Sequence, residues 1–168
     1  MTTTPDPERL ISEFKHGQCY PMAVALSRTL GWEIGALIVD LDHRGVENGF
    51  WPHPVHAYVI SPDGRFLDAG GFSDEATLKE DFLDTIKRKF SNPRFERFSD
   101  AESFLTMLRH LEEGHWDGAS YDPELYATFD YSHSWSYQKF LDEIYPRAIE
   151  AIEVLGLEDM ANERIMSM

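Results

Sequence analysis

The stretch Val55-His56-Ala57-Tyr58-Val59-Ile60-Ser61-Pro62-Asp63-Gly64-Arg65-Phe66-Leu67-Asp68 decides the fold of this chain. Two runs rich in β-branched and aromatic residues flank a turn with Pro at its second position and Gly where a left-handed residue is wanted. A type I turn closed by a glycine bulge pairs Ser61 with Arg65, and two steps on it sets Tyr58 opposite Asp68. His56, Tyr58 and Ile60 then share a face with Phe66 and Asp68. His56 and Asp68 become diagonal neighbours roughly 7–8 Å apart at Cβ, within reach of an imidazole–carboxylate hydrogen bond. A two-residue loop would put them on opposite faces.

Upstream, Cys19, Met22, Ala23, Leu26 and Leu30 recur at helical spacing, so a helix is expected over 19–30. Pro21 is tolerated in its first turn and Gly31 ends it. Residues 33–41 read as a strand, 42–54 as a loop containing two prolines, and 1–10 as a flexible lead. Downstream the pattern is helical. Ser73 is the expected cap of a helix over 74–90 with Leu78, Phe82, Ile86 and Phe90 on one face. Ser99-Asp100-Ala101-Glu102 reads as a capping box for a helix to about 113. Asp122-Pro123 opens a short helix, and 137–155 a long one kinked at Pro146. The expectation is one α+β domain over 1–168: a helix-plus-sheet core at 17–72, a helical lobe at 73–157 and a tail at 158–168.

The chain of 168 residues has 42% hydrophobic and 13% aromatic residues, which suits a folded core. Its 30 acidic and 15 basic side chains leave a net charge of −15. Residues 73–168 carry 21 of those acids against 10 basic groups. This balance argues against binding nucleic-acid backbones or anionic membranes and suits a basic protein substrate or partner. No apolar run is long enough to span a bilayer and no secretory leader is visible, so a cytoplasmic location is expected. With one cysteine the monomer has no internal disulfide.

That cysteine carries the chemistry. Cys19 falls at a helix N-terminus, where the dipole and unpaired N–H groups favour a thiolate. His56 supplies a general base and acid, and Asp68 holds its tautomer. Gln18 offers an amide donor to an oxyanion, as does the Cys19 backbone N–H, and Tyr20 and Tyr58 are further candidates for oxyanion or substrate binding. Each has a plain structural alternative: a small buried hydrophobe for Cys19, a structural strand residue for His56, a turn residue for Asp68. The conjunction is what favours a site. His53-Pro54-Val55-His56 with His43, Asp40 and Asp42 lacks the spacing of a metal site, so neither metal nor cofactor is expected. His115-Trp116 and the aromatic run 131–135, including His133, read as core and helix-junction packing, with a substrate-facing wall or interaction patch as the alternative.

Gly17-Gln18-Cys19-Tyr20, then His56-Ala57-Tyr58-Val59, then Asp63-Gly64-Arg65-Phe66-Leu67-Asp68 resembles the core of papain-like and transglutaminase-like proteins. In that superfamily a Cys on a helix is followed by a His and then an Asp on successive strands. The match spans about residues 17–72 and is closest to the bacterial transglutaminase-like form, with similarity to bacterial and phage proteins of like length. It departs from better-known members in having Tyr20 where Trp often follows the Cys. The resemblance implies a thiol enzyme acting on an amide, ester or isopeptide carbonyl, as peptidase, amidase, deamidase or acyltransferase. The alternative is a non-enzymatic acidic binding protein on the same scaffold, phage- or plasmid-borne, engaging a basic partner.

Overall fold

A computed structural model describes residues 5–16, 18–42, 50–86, 89–112 and 140–166. The fold is α+β. Pro7–His16 (α1) and Cys19–Leu30 (α2) precede the long strands Glu33–Asp42 (β1) and Phe50–Ile60 (β2). Two short strands follow, Phe66–Asp68 (β3) and Gly71–Ser73 (β4), then helix Glu75–Phe82 (α3) with a 3-10 turn at Leu83–Thr85. Strand Phe90–Phe98 (β5) and helix Ala101–Glu112 (α4) come next. A π turn at Phe140–Ile144 leads into Tyr145–Leu155 (α5) and Leu157–Met166 (α6). The five strands form one antiparallel sheet in the order β4-β3-β2-β1-β5.

Alternation along the strands divides the sheet's side chains between two cores. Ile34, Ala36, Ile38, Ala57, Val59, Leu67 and Phe98 face α2, which is buried along most of its length, and α1, α4, α5 and α6 add to the same cluster. Leu37, Tyr58, Ile60 and Phe66 face the other way and are covered by Leu78 and Phe82 of α3. Tyr58 fits there only because residue 35 has no side chain: a Cβ on Gly35 would stand 2.3 Å from the Tyr58 ring.

The β2–β3 turn has the register its sequence predicts. The Gly64 N–H donates to the Ser61 carbonyl and the Ser61 N–H to the Arg65 carbonyl, each at 2.8 Å, with Gly64 left-handed at φ 87. Val59 pairs with Leu67 and Ile60 with Phe66, which brings Tyr58 level with Asp68. α2 ends where expected, at a left-handed Gly31 whose N–H reaches the Ser27 carbonyl.

Other expectations are corrected. The supposed loop 42–54 contributes residues 50–54 to β2 despite Pro52 and Pro54. β3 ends at Asp68, so among the described residues no strand pairs with this half of β2 on that side, and the Pro54 carbonyl accepts from the Tyr20 hydroxyl instead. Proline is admissible at such an edge because no ladder donor is needed there. The helix expected over 74–90 stops at Phe82, and Phe90 begins a strand, so the second half is not all helical. Asp74 rather than Ser73 caps α3, accepting the Thr77 N–H at 2.9 Å, and Asp100 rather than Ser99 caps α4, accepting the Ser103 N–H at 2.8 Å. The lead is helical from Pro7, Pro146 stands in the first turn of α5 rather than kinking it, and the tail forms α6. The Asp122-Pro123 helix, His43, His115-Trp116 and 131–135 lie outside the described residues.

Gly35→Ala should therefore destabilise the protein by several kcal/mol, since Tyr58 must leave its site. Gly64→Ala, with open space around its Cβ, should lose only the roughly 1–2 kcal/mol of a left-handed backbone. Urea unfolding of both variants checks the order.

Candidate active site

A bulge sets the site. Leu37 pairs with His56 and Ile38 with Pro54, leaving Val55 as the extra residue immediately before the histidine. Such bulges re-aim side chains next to functional positions. His56 is fully buried, at 0% exposure, and Asp68 is 3% exposed. The His56 Nε2 lies 2.8 Å from Asp68 Oδ2. An ionised carboxylate only accepts, so Nε2 carries the hydrogen and, in the neutral ring, Nδ1 keeps the lone pair. That Nδ1 is buried and has no hydrogen-bond partner among the described residues. Asp68 is held at its other oxygen too, where Oδ1 accepts the Gly70 N–H at 2.8 Å. A Cβ on Gly70 would stand 3.2 Å from that oxygen and 3.1 Å from Lys15 Nζ, so glycine lets the backbone close on the carboxylate.

Cys19 is the first residue of α2 and is 8% exposed. Burial pushes its thiol up to about 12, and the Asp68 charge acts in the same direction. The backbone N–H groups of Ala57, Cys19 and Tyr20 oppose this without overcoming it. The expectation that the helix N-terminus holds a thiolate is thus corrected for this conformation. Three amide donors favour the anion, but loss of water outweighs them. The Ala57 backbone N–H interacts with the sulfur and so sets it beside β2, while among the described residues no hydrogen bond joins it to His56 Nδ1.

The remaining residues sort differently. Gln18 occupies the N-cap position with no side-chain bond to the helix end. Tyr20 donates its hydroxyl to the Pro54 carbonyl and sets its ring edge-on to Phe104 at 5.9 Å. Tyr58 is 1% exposed and stacks on Phe66 at 4.1 Å, a core position. Among the described residues, no three His, Cys, Asp or Glu side chains converge as a metal site requires, and no helix is long and apolar enough to cross a membrane. Sequence reasoning did not find the Ala57 and Gly70 amides or Phe82, whose ring lies on His56. Main-chain donors leave no residue-type signal, and Phe82 is one apolar residue among several on its helix.

No family model, no curated protein and no solved structure matches this chain.

The raised thiol has a consequence for stability. Unfolded, Cys19 loses its proton near its ordinary value of 9.0; folded, it keeps it to about 12. Its contribution is fully present below about pH 9 and is lost as pH rises through about 12. Tyr20 and Tyr58, also raised by burial, act with the same sign. Cys19→Ser should flatten the fall in unfolding free energy between about pH 8 and pH 11, measured by urea titration, without abolishing the share due to the tyrosines.

Proposed function

We propose that this chain is a papain-like or transglutaminase-like thiol enzyme acting on an amide, ester or isopeptide carbonyl through Cys19, His56 and Asp68. The observation that carries the reading is the buried imidazole, bound through Nε2 to Asp68 and left without a partner at Nδ1 among the described residues. Burying a ring nitrogen unpaired costs about 1–3 kcal/mol. Catalysis gives a reason to retain it.

In this reading the Cys19 Sγ attacks the carbonyl carbon while its proton passes to His56 Nδ1. The C–S bond forms as the S–H bond breaks. The thiol starts neutral, so the base acts during attack rather than before it. Developing charge on the carbonyl oxygen meets the Cys19 backbone N–H and the Gln18 amide at the start of α2. The Nδ1–H then protonates the departing amine or alkoxide, leaving a thioester. Water or an acceptor amine, deprotonated by the same nitrogen, releases the acyl group and restores the thiol. Asp68 holds the imidazole in the required tautomer and balances the imidazolium. The acidic surface favours a basic protein as acyl donor or acceptor.

The test is acylation of Cys19 by an activated ester such as p-nitrophenyl acetate, with the adduct located by mass spectrometry. His56→Ala should slow acylation at neutral pH by about 10²–10⁴-fold, and Cys19→Ser should abolish the thioester. Asp68→Asn should also slow it, by letting Nδ1 carry the hydrogen. Equal rates in wild type and His56→Ala would make Cys19 a packing residue and favour the non-enzymatic reading.

A further inference from the structure

Two restraints act on the His56 ring, and only one comes from the residues of the proposed triad. The bond to Asp68 fixes where Nε2 points but leaves the ring free to rock about the line joining the two residues. Phe82 removes that freedom. Its ring lies parallel to the imidazole, with centroids 4.0 Å apart and planes 13° from each other. Among the described residues this is closer and flatter than the other ring contact of His56, a tilted one to Tyr58 at 6.2 Å.

Phe82 is itself held. It is the last residue of α3, 5% exposed, and packs with Leu78 against Leu37, Ile60 and Phe66 on the underside of the sheet. The start of α3 is fixed by the Asp74 cap. Its end is tied to α1 by Asp81, whose carboxylate lies 3.7 Å from Lys15 Nζ, and by His16, whose ring meets Phe82 at 5.5 Å. Lys15 and His16 belong to the segment that leads into Cys19. The contacts of Phe82 therefore run from the imidazole to the approach to the nucleophile.

We propose that Phe82 is a positioning residue: its stacked ring fixes the plane of the His56 imidazole so that Nδ1 is presented to the Cys19 thiol. The inference rests on the thiol-enzyme reading above and extends it to a residue outside the triad. An aromatic face against the ring is also favourable when the imidazole becomes positively charged, the state it must reach when it accepts the thiol proton. Shape and electrostatics thus act together, and an aliphatic side chain of similar bulk supplies only part of the shape.

The experiment compares wild type with Phe82→Leu and Phe82→Tyr, using two readouts. The first is the tautomer and mobility of His56, read from the ¹⁵N resonances of its ring and from exchange of the Nε2 proton. The second is Cys19 acylation by p-nitrophenyl acetate across pH. In Phe82→Leu the Nε2–H tautomer held by Asp68 should persist, but the ring resonances should shift and broaden, proton exchange should quicken about tenfold, and acylation should slow about tenfold. Phe82→Tyr should restore both readouts to within about twofold. If Phe82→Leu does not fold, Phe82→Met, which fills the space with a flexible chain, replaces it.

Unchanged resonances in Phe82→Leu would overturn the proposal. So would faster acylation, which would make the ring a plug over the site rather than a support. Failure of the triad reading is separable: it would appear as indifference of acylation to His56→Ala, while the ring resonances still report on what Phe82 does to the imidazole.

Discussion

The pairing of β2 with β3 is the constraint on which the site depends. A shift of one residue would carry Asp68 to the opposite face of the sheet and leave the His56 imidazole buried without an acceptor. The shift is prevented locally. Pro62 and a left-handed Gly64 form the bulged turn, and the Ser61 hydroxyl accepts the Arg65 N–H at 3.0 Å. It is also resisted at a distance, because the same register places Tyr58 over Gly35 and Phe66 against Tyr58. Arg164 of α6 pairs with Asp63 in the turn and lies over the Phe72 ring at 5.3 Å, so a late helix closes on the same hairpin.

Burial gives the site its character. A solvated Cys at a helix start gains from the dipole, whereas Cys19 loses more from the absence of water than three backbone amides return. Under the thiol-enzyme reading proposed above, such burial suits proton transfer coupled to attack rather than a standing thiolate–imidazolium pair.

Much of the first half was legible because its signals are local. The α2 stripe, the Gly31 stop, β1 and the hairpin register each follow from residues within a few positions of one another. Errors arose where a neighbour distant in sequence reverses a local preference. Pro52 and Pro54 argue against a strand, yet β1 pairs with that stretch of β2 and, among the described residues, no strand needs a ladder donor from its other side. Phe90 continues an apolar helical face on paper, but β1 offers a partner, with Leu37 opposite Phe95 and Ile34 opposite Phe98. At the caps, Ser73 and Asp74, like Ser99 and Asp100, are adjacent good candidates, and it is the aspartates that accept the helix N–H groups.

The sequence by itself determined the α+β composition, the face shared by His56 and Asp68, and the position of Cys19 at a helix start. These depend on turn chemistry and residue periodicity, which act over short spans of chain. Tertiary structure decided three other things: the bond between His56 and Asp68, the protonation of the Cys19 thiol and the seating of Phe82 on the imidazole. Hydrogen-bond distance, solvation and stacking depend on which remote segments meet, and no local pattern encodes how α1, α3 and the strand ends close around one ring.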